Sequence, residues 1–120
     1  MKVAVSSKGK NLDSEVDGVF GRCSYFIIAD IEKNKIKKTE VVENKNATRM
    51  GGAGIAAAQD VAGKKAKAVI TGNIGPRASD VFKQFDISVY NAKGSVKDAL
   101  KGFIDKKLKK IEGFRLNERI

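Results

Sequence analysis

Two glycine-bearing segments and one arginine carry most of the chemical content of this 120-residue chain. Gly51-Gly52-Ala53-Gly54 and Gly72-Asn73-Ile74-Gly75 each precede a run suited to a helix, the first rich in alanine from Ile55 to Ala62, the second opened by Pro76. A helix N-terminus leaves backbone N–H groups without intrahelical partners and carries the positive end of the macrodipole, so such loops favour an anion. The candidate anion-binding positions are Gly52, Ala53, Gly54, Asn73, Ile74 and Gly75, together with Ser6 at the end of a first apolar run. Arg22 adds a guanidinium, and beside it Cys23 is the only thiol, a ligand for a soft metal whose pKa a neighbouring cation would lower. The same residues have plainer readings: glycines that cap helices and permit tight turns, Cys23 as a small buried hydrophobe, Arg22 as a surface ion-pair partner. Arg49 and Arg77 are further cations of either kind.

Several chemistries are excluded by composition. With one cysteine and no histidine, the chain forms no intramolecular disulfide, no zinc finger and no Cys/His or Ser/His dyad. Neither glycine loop continues as Gly-Lys-Ser/Thr, and no acidic residue stands where a ribose reader would, so ATP and NAD are not expected. Metal-dependent hydrolysis would need carboxylates at the centre of the sheet, and Val3-Ala4-Val5-Ser6 has none. No apolar run approaches the roughly 18 residues of a membrane span, and the N-terminal apolar stretch is too short for a signal peptide. A cytoplasmic protein with no membrane partner is the expectation.

The 24 Lys and Arg outnumber 14 Asp and Glu, for a formal charge of +10, and the stretch Lys101–Ile120 holds seven basic against three acidic residues. That balance raises nucleic-acid binding as an alternative function. Only five of the basic residues are arginine, so a solvated lysine-rich surface accounts for the charge as well. Dispersed lysines neutralise phosphates, but nothing here reads bases. Affinity for DNA or RNA is therefore expected to be weak, unspecific and steeply lost with salt. Filter binding at two salt concentrations checks this, and a sequence-selective complex surviving high salt would refute it.

The elements that must position these residues follow from apolar periodicity. Strands are expected at 3–6, 25–30, 36–42, 68–71 and 87–90, the second and third joined as an antiparallel hairpin through Glu32-Lys33-Asn34-Lys35. Helices are expected over 55–62, from Pro76 to about Phe85, and after Ser95, where Ser95 and Asp98 resemble a capping box. In the last helix Val96, Ala99, Leu100, Phe103, Ile104 and Leu108 keep one apolar face. Two helical crossovers require parallel strands covered on both faces, hence one α/β domain over 1–110 with a basic tail at 111–120. If the fourth strand returns beside the first, the loops after Val5 and Ile70 flank one crevice at the carboxyl ends of the strands.

Asp13-Ser14-Glu15-Val16, Phe20-Gly21-Arg22, Tyr25-Phe26, Gly51-Gly52-Ala53-Gly54-Ile55, Thr71-Gly72-Asn73-Ile74-Gly75-Pro76 and Gly94-Ser95-Val96 together resemble the dinitrogenase iron-molybdenum cofactor biosynthesis family over about residues 1 to 105. The family includes NifX, the cofactor-binding domain of NafY and the C-terminal part of NifB. The resemblance implies a ribonuclease H-like three-layer fold with a five-stranded mixed sheet of order 3-2-1-4-5. It also implies non-catalytic binding or carriage of an anionic metal–sulfur cluster, Fe–S or Mo-containing and labile, or of its precursor, with a cofactor-assembly protein as partner. Cofactor-handling members commonly carry a histidine immediately before Phe-Gly-Arg, where this chain has Val19. Arg22 and the glycine loops carry over as anion binders; for direct coordination only Cys23 is nearby.

Overall fold

A computed structural model describes residues 1–111. Six strands, β1 (Lys2–Ser7), β2 (Tyr25–Glu32), β3 (Lys35–Glu43), β4 (Ala66–Thr71), β5 (Ser88–Asn91) and β6 (Lys109–Ile111), form one sheet of order β3-β2-β1-β4-β5-β6. β1, β4 and β5 run parallel, whereas β2, β3 and β6 pair antiparallel to their neighbours. The helices are α1 (Ala53–Gly63), α2 (Pro76–Gln84) and α3 (Val96–Ile104), and a single 3-10 turn spans Phe20–Arg22. All five expected strands lie in this sheet, but the expected count is short by one.

Alternation along the strands divides the core into two layers. Ala4, Phe26, Ile28 and Val69 face α1 and α2, packing with Ala57, Val61 and Phe82. Val3, Val5, Ile27, Ala29 and Ile70 face the other way onto Val96, Ala99 and Leu100 of α3. Both faces of β1 are thus covered, which is why its run is apolar without alternation. Lys33 (φ 52°) and Asn34 (φ 64°) both take the left-handed conformation that a two-residue type I′ hairpin needs between β2 and β3.

The last helix departs from its expected length. Apolar spacing continues to Leu108, yet α3 stops at Ile104 because Lys106 turns left-handed (φ 59°) and the Lys107 N–H donates to the Gly102 carbonyl, 2.9 Å. Leu108 then folds back over Gly102, where a Cβ would lie 2.9 Å from its Cδ2, and the chain returns along β5 as β6. Ser95 does cap α3, its hydroxyl accepting from the Asp98 N–H at 3.0 Å. Of the tail expected at 111–120, Ile111 ends β6 and 112–120 lie outside the described residues. No helix among the described residues is long and apolar enough to cross a membrane.

Candidate functional site

β1 and β4 lie side by side and parallel, so the loops leaving their carboxyl ends meet. Ser6 sits at that junction, wholly buried, with its Oγ 2.8 Å from Thr71 Oγ1 and 3.0 Å from the Asp17 carbonyl oxygen. It ties both strand ends to the 8–19 loop and does not line the open cleft above. Asn73 is exposed but engaged within the chain: its carbonyl accepts from the Phe20 N–H (3.1 Å), and its Oδ1 accepts from the Ile74 N–H (2.9 Å). Ile74 therefore keeps no backbone donor for a ligand.

The cleft, about 350 Å³, lies where the N-termini of α1 and α2 converge on the 3-10 turn. Arg22, Gly52, Ala53, Gly54 and Gly75 line it, joined by Val19, Gly21 and Arg77. The convergence is set by close backbone approach. A Cβ on Gly21 would stand 2.8 Å from Gly54 Cα and 2.9 Å from Gly54 N, so any larger residue there would drive the turn away from α1. Gly52 caps α1 in the left-handed region (φ 71°), which favours glycine.

Neither α1 nor α2 receives a side-chain cap, and neither has an acidic residue in its first turn. The first-turn N–H groups of Ala53, Gly54, Ile55, Arg77 and Ala78 have no intrahelical partner, and all five residues line the cleft. α3, which is remote from it, is capped by Ser95. Among the described residues no Asp or Glu lines the cleft; Asp17, which precedes it, accepts from the Val19 N–H at 2.9 Å.

Arg22 has a second task that its sequence position does not reveal. Its Nη1 donates to the carbonyls of Ala47 (2.9 Å) and Arg49 (2.6 Å), clamping the loop that leads into α1. Asn44 secures the start of that loop, its Nδ2 donating to the carbonyls of Cys23 (2.8 Å) and Gly21 (3.2 Å). Asn44 and Arg77 are the two site residues the sequence analysis undervalued. Arg77 was legible as a cation just past Pro76, but nothing local marks Asn44, whose partners lie over twenty residues away.

Cys23 is fully buried against the α1–α2 core layer and does not line the cleft. Burial pushes its thiol up from 9.0 to about 12, helped by the negative charge of Asp17 and only partly opposed by hydrogen bonds from the Ser7 backbone and the Asn44 amide. The expectation that Arg22 would lower this pKa is reversed, since the guanidinium points to the 47–49 carbonyls. The thiol is neutral at physiological pH. Its folded pKa lies above the unfolded one, so the stabilising contribution is complete below about pH 9 and is lost as pH rises toward 12. Denaturant midpoints measured across pH 8–12 are expected to fall more steeply than those of Cys23→Ala; parallel curves would contradict the buried neutral thiol. No group of three or more Cys, Asp or Glu suited to hold a metal ion occurs among the described residues.

Comparison with known proteins extends these observations. A family model described as dinitrogenase iron-molybdenum cofactor matches residues 1–106. The uncharacterized protein MJ0580 of Methanocaldococcus jannaschii is 39% identical over 113 residues, covering 93% of this chain and 92% of that one. Among solved structures, the apo form of the orange protein from Desulfovibrio gigas superposes with a TM-score of 0.86 at 32% identity, covering 93% of each chain. A candidate NifB protein from Thermotoga superposes at 0.81 with 34% identity, covering 95% of this chain and 96% of that one.

Proposed function

Since the chain belongs to the dinitrogenase iron-molybdenum cofactor family, we propose that it is a small cytoplasmic, non-catalytic binding or carrier protein for an anionic metal–sulfur cluster or its precursor. The observation that carries this reading is the cleft in which two helix N-termini without side-chain caps and two arginines, Arg22 and Arg77, converge with no acidic residue among the described residues lining it. Its groups are hydrogen-bond donors and cations, suited to hold an anion rather than to transform it. The order of the first five strands, 3-2-1-4-5 with β2 antiparallel to β1, further supports a ribonuclease H-like assignment.

The donors available define how such a cargo is held. Cys23 is neutral and buried, and Val19 brings only an apolar side chain to the cleft, so among the described residues neither offers the cargo's metal a ligand. Retention falls to backbone N–H groups of 53–55, 77 and 78 and to guanidinium N–H groups, each engaging the outer sulfur or oxygen atoms of the anion. Apolar walls at Val19, Phe20, Ile55 and Pro76 favour a weakly hydrated, sulfur-rich anion over a strongly hydrated one. Hold without coordination is labile, as delivery to a cofactor-assembly protein requires.

Anaerobic titration with tetrathiomolybdate, and separately with an iron–sulfur precursor, followed by absorbance, tests the reading. A saturable signal at one ligand per chain is expected for at least one of them. No saturation with either would sink it.

A further inference from the structure

At the other end of the sheet, beyond the Lys33-Asn34 turn, lies a larger cavity of about 590 Å³ that the cleft's function does not use. Its wall is apolar: Ile31, Phe103, Ile104 and Leu108 extend the second core layer outward, the last three only partly buried. Tyr90 stands among them, edge-on to Phe103 with ring centroids 5.2 Å apart, and brings a phenol to the same wall.

The rim is of opposite character. Lys33 and Lys106 line the opening, both exposed and both fixed in left-handed turns, at the hairpin between β2 and β3 and at the close of α3. Neither belongs to an ion pair among the described residues, where the three pairs use the N-terminal ammonium, Lys37 and Lys64. Asn34 adds an amide, and among the described residues no Asp or Glu lines the cavity. Its volume lies within the roughly 300–1,000 Å³ usual for small-molecule sites.

We propose that this cavity binds a small amphipathic monocarboxylate, its ring or short alkyl chain against Ile31, Phe103, Ile104 and Leu108 and its carboxylate between Lys33 and Lys106 at the rim. Two lysines at the rim, outside the ion pairs of the described residues and with no acidic residue lining the cavity among those residues, disfavour a cationic ligand. The apolar wall disfavours a strongly hydrated inorganic anion, which would shed its water without replacement there. An apolar body of modest size with one negative end satisfies both parts. The site is separate from the cleft at α1 and α2, so occupancy of one does not depend on the other being correctly assigned.

Octanoate is the probe, with octanol as its uncharged counterpart, followed by calorimetry and by backbone amide shifts in the full chain. Saturable binding of one octanoate is expected, with shifts at Lys33, Asn34, Tyr90 and residues 103–108, and octanol about tenfold weaker. The double variant Lys33→Gln, Lys106→Gln should lose that preference while keeping its affinity for octanol and for tetrathiomolybdate. Equal binding of octanoate and octanol by the wild type would overturn the proposal whatever the variant does. So would shifts centred on Gly52 and Gly75, or the absence of saturation.

Discussion

Truncating Phe20 to alanine is expected to lower the free energy of unfolding by about 3–5 kcal/mol, among the largest single losses available to this fold. Phe20 is 1% exposed, and its ring meets Phe26 at 5.2 Å and Phe82 at 5.3 Å, the latter edge to face. It is the anchor by which a short 3-10 turn, with no side-chain cap of its own, is fastened to the α1–α2 core layer. Because the same turn carries Gly21 and Arg22, the loss should reach the cleft as well, and tetrathiomolybdate affinity should fall along with stability. Phe85 offers the comparison: it is 57% exposed, and its replacement by alanine should change stability by no more than about 0.5 kcal/mol. Urea denaturation of the two variants measures the contrast. A Phe20→Ala loss below about 1 kcal/mol would mean that the turn is not held by its ring.

The dependence of the cleft on one buried ring shows which links are visible in a sequence and which are not. Local patterns were legible. The apolar runs of β1, β2 and β4, the polar Lys33-Asn34 turn and the single Pro76 at the first position of α2 fix the order of elements and the parallel centre of the sheet. The two glycine loops could be placed at helix N-termini because glycine and alanine composition changes abruptly there. β6 was not legible: Lys109-Lys110-Ile111 holds one apolar residue and no alternation, and it becomes a strand only because Lys106 turns the chain back beside β5. A lysine in a left-handed turn carries none of the warning that a glycine would.

Within the site, what escaped the sequence were the partners of correctly chosen residues. Arg22 and Cys23 are adjacent, which suggested that one would influence the other. In the fold Arg22 reaches forward to Ala47 and Arg49, while Cys23 turns inward to Asn44 and lies under the field of Asp17. Ser6 stands at the expected junction but faces inward, because a buried hydroxyl at a strand end finds protein partners first, while the exposed Asn73 closes a local turn with its own amide oxygen. More than twenty residues along the chain separate Arg22 from Ala47 and Arg49, Cys23 from Asn44, and Ser6 from Thr71, and short-range spacing holds no record of such pairs.

Arg22 and Gly75 should separate the holding of the cargo from the stability of the fold, with opposite signatures. Arg22→Ala removes a guanidinium from the cleft and two hydrogen bonds to the Ala47 and Arg49 carbonyls, so the loop into α1 loosens while a charge-assisted contact is lost. Such contacts contribute about 1.5–3 kcal/mol, which corresponds to roughly a 10- to 100-fold weaker tetrathiomolybdate complex. Arg22→Lys keeps the charge but lacks the planar fork, and should recover only part of the loss. Gly75→Ala is the converse case. Its backbone (φ −77°, ψ 165°) suits alanine and a Cβ there would meet nothing within 4 Å, so the fold should be unchanged or gain about 0.4–1 kcal/mol through the unfolded chain. That methyl group would nevertheless stand on the wall of the cleft where α2 begins, narrowing the approach to the Arg77 and Ala78 N–H groups, and affinity should drop with no loss of melting temperature. Absorbance titration paired with thermal melting reads both variants; undiminished affinity in Arg22→Ala, or in a stable Gly75→Ala, would place the cargo elsewhere on the molecule.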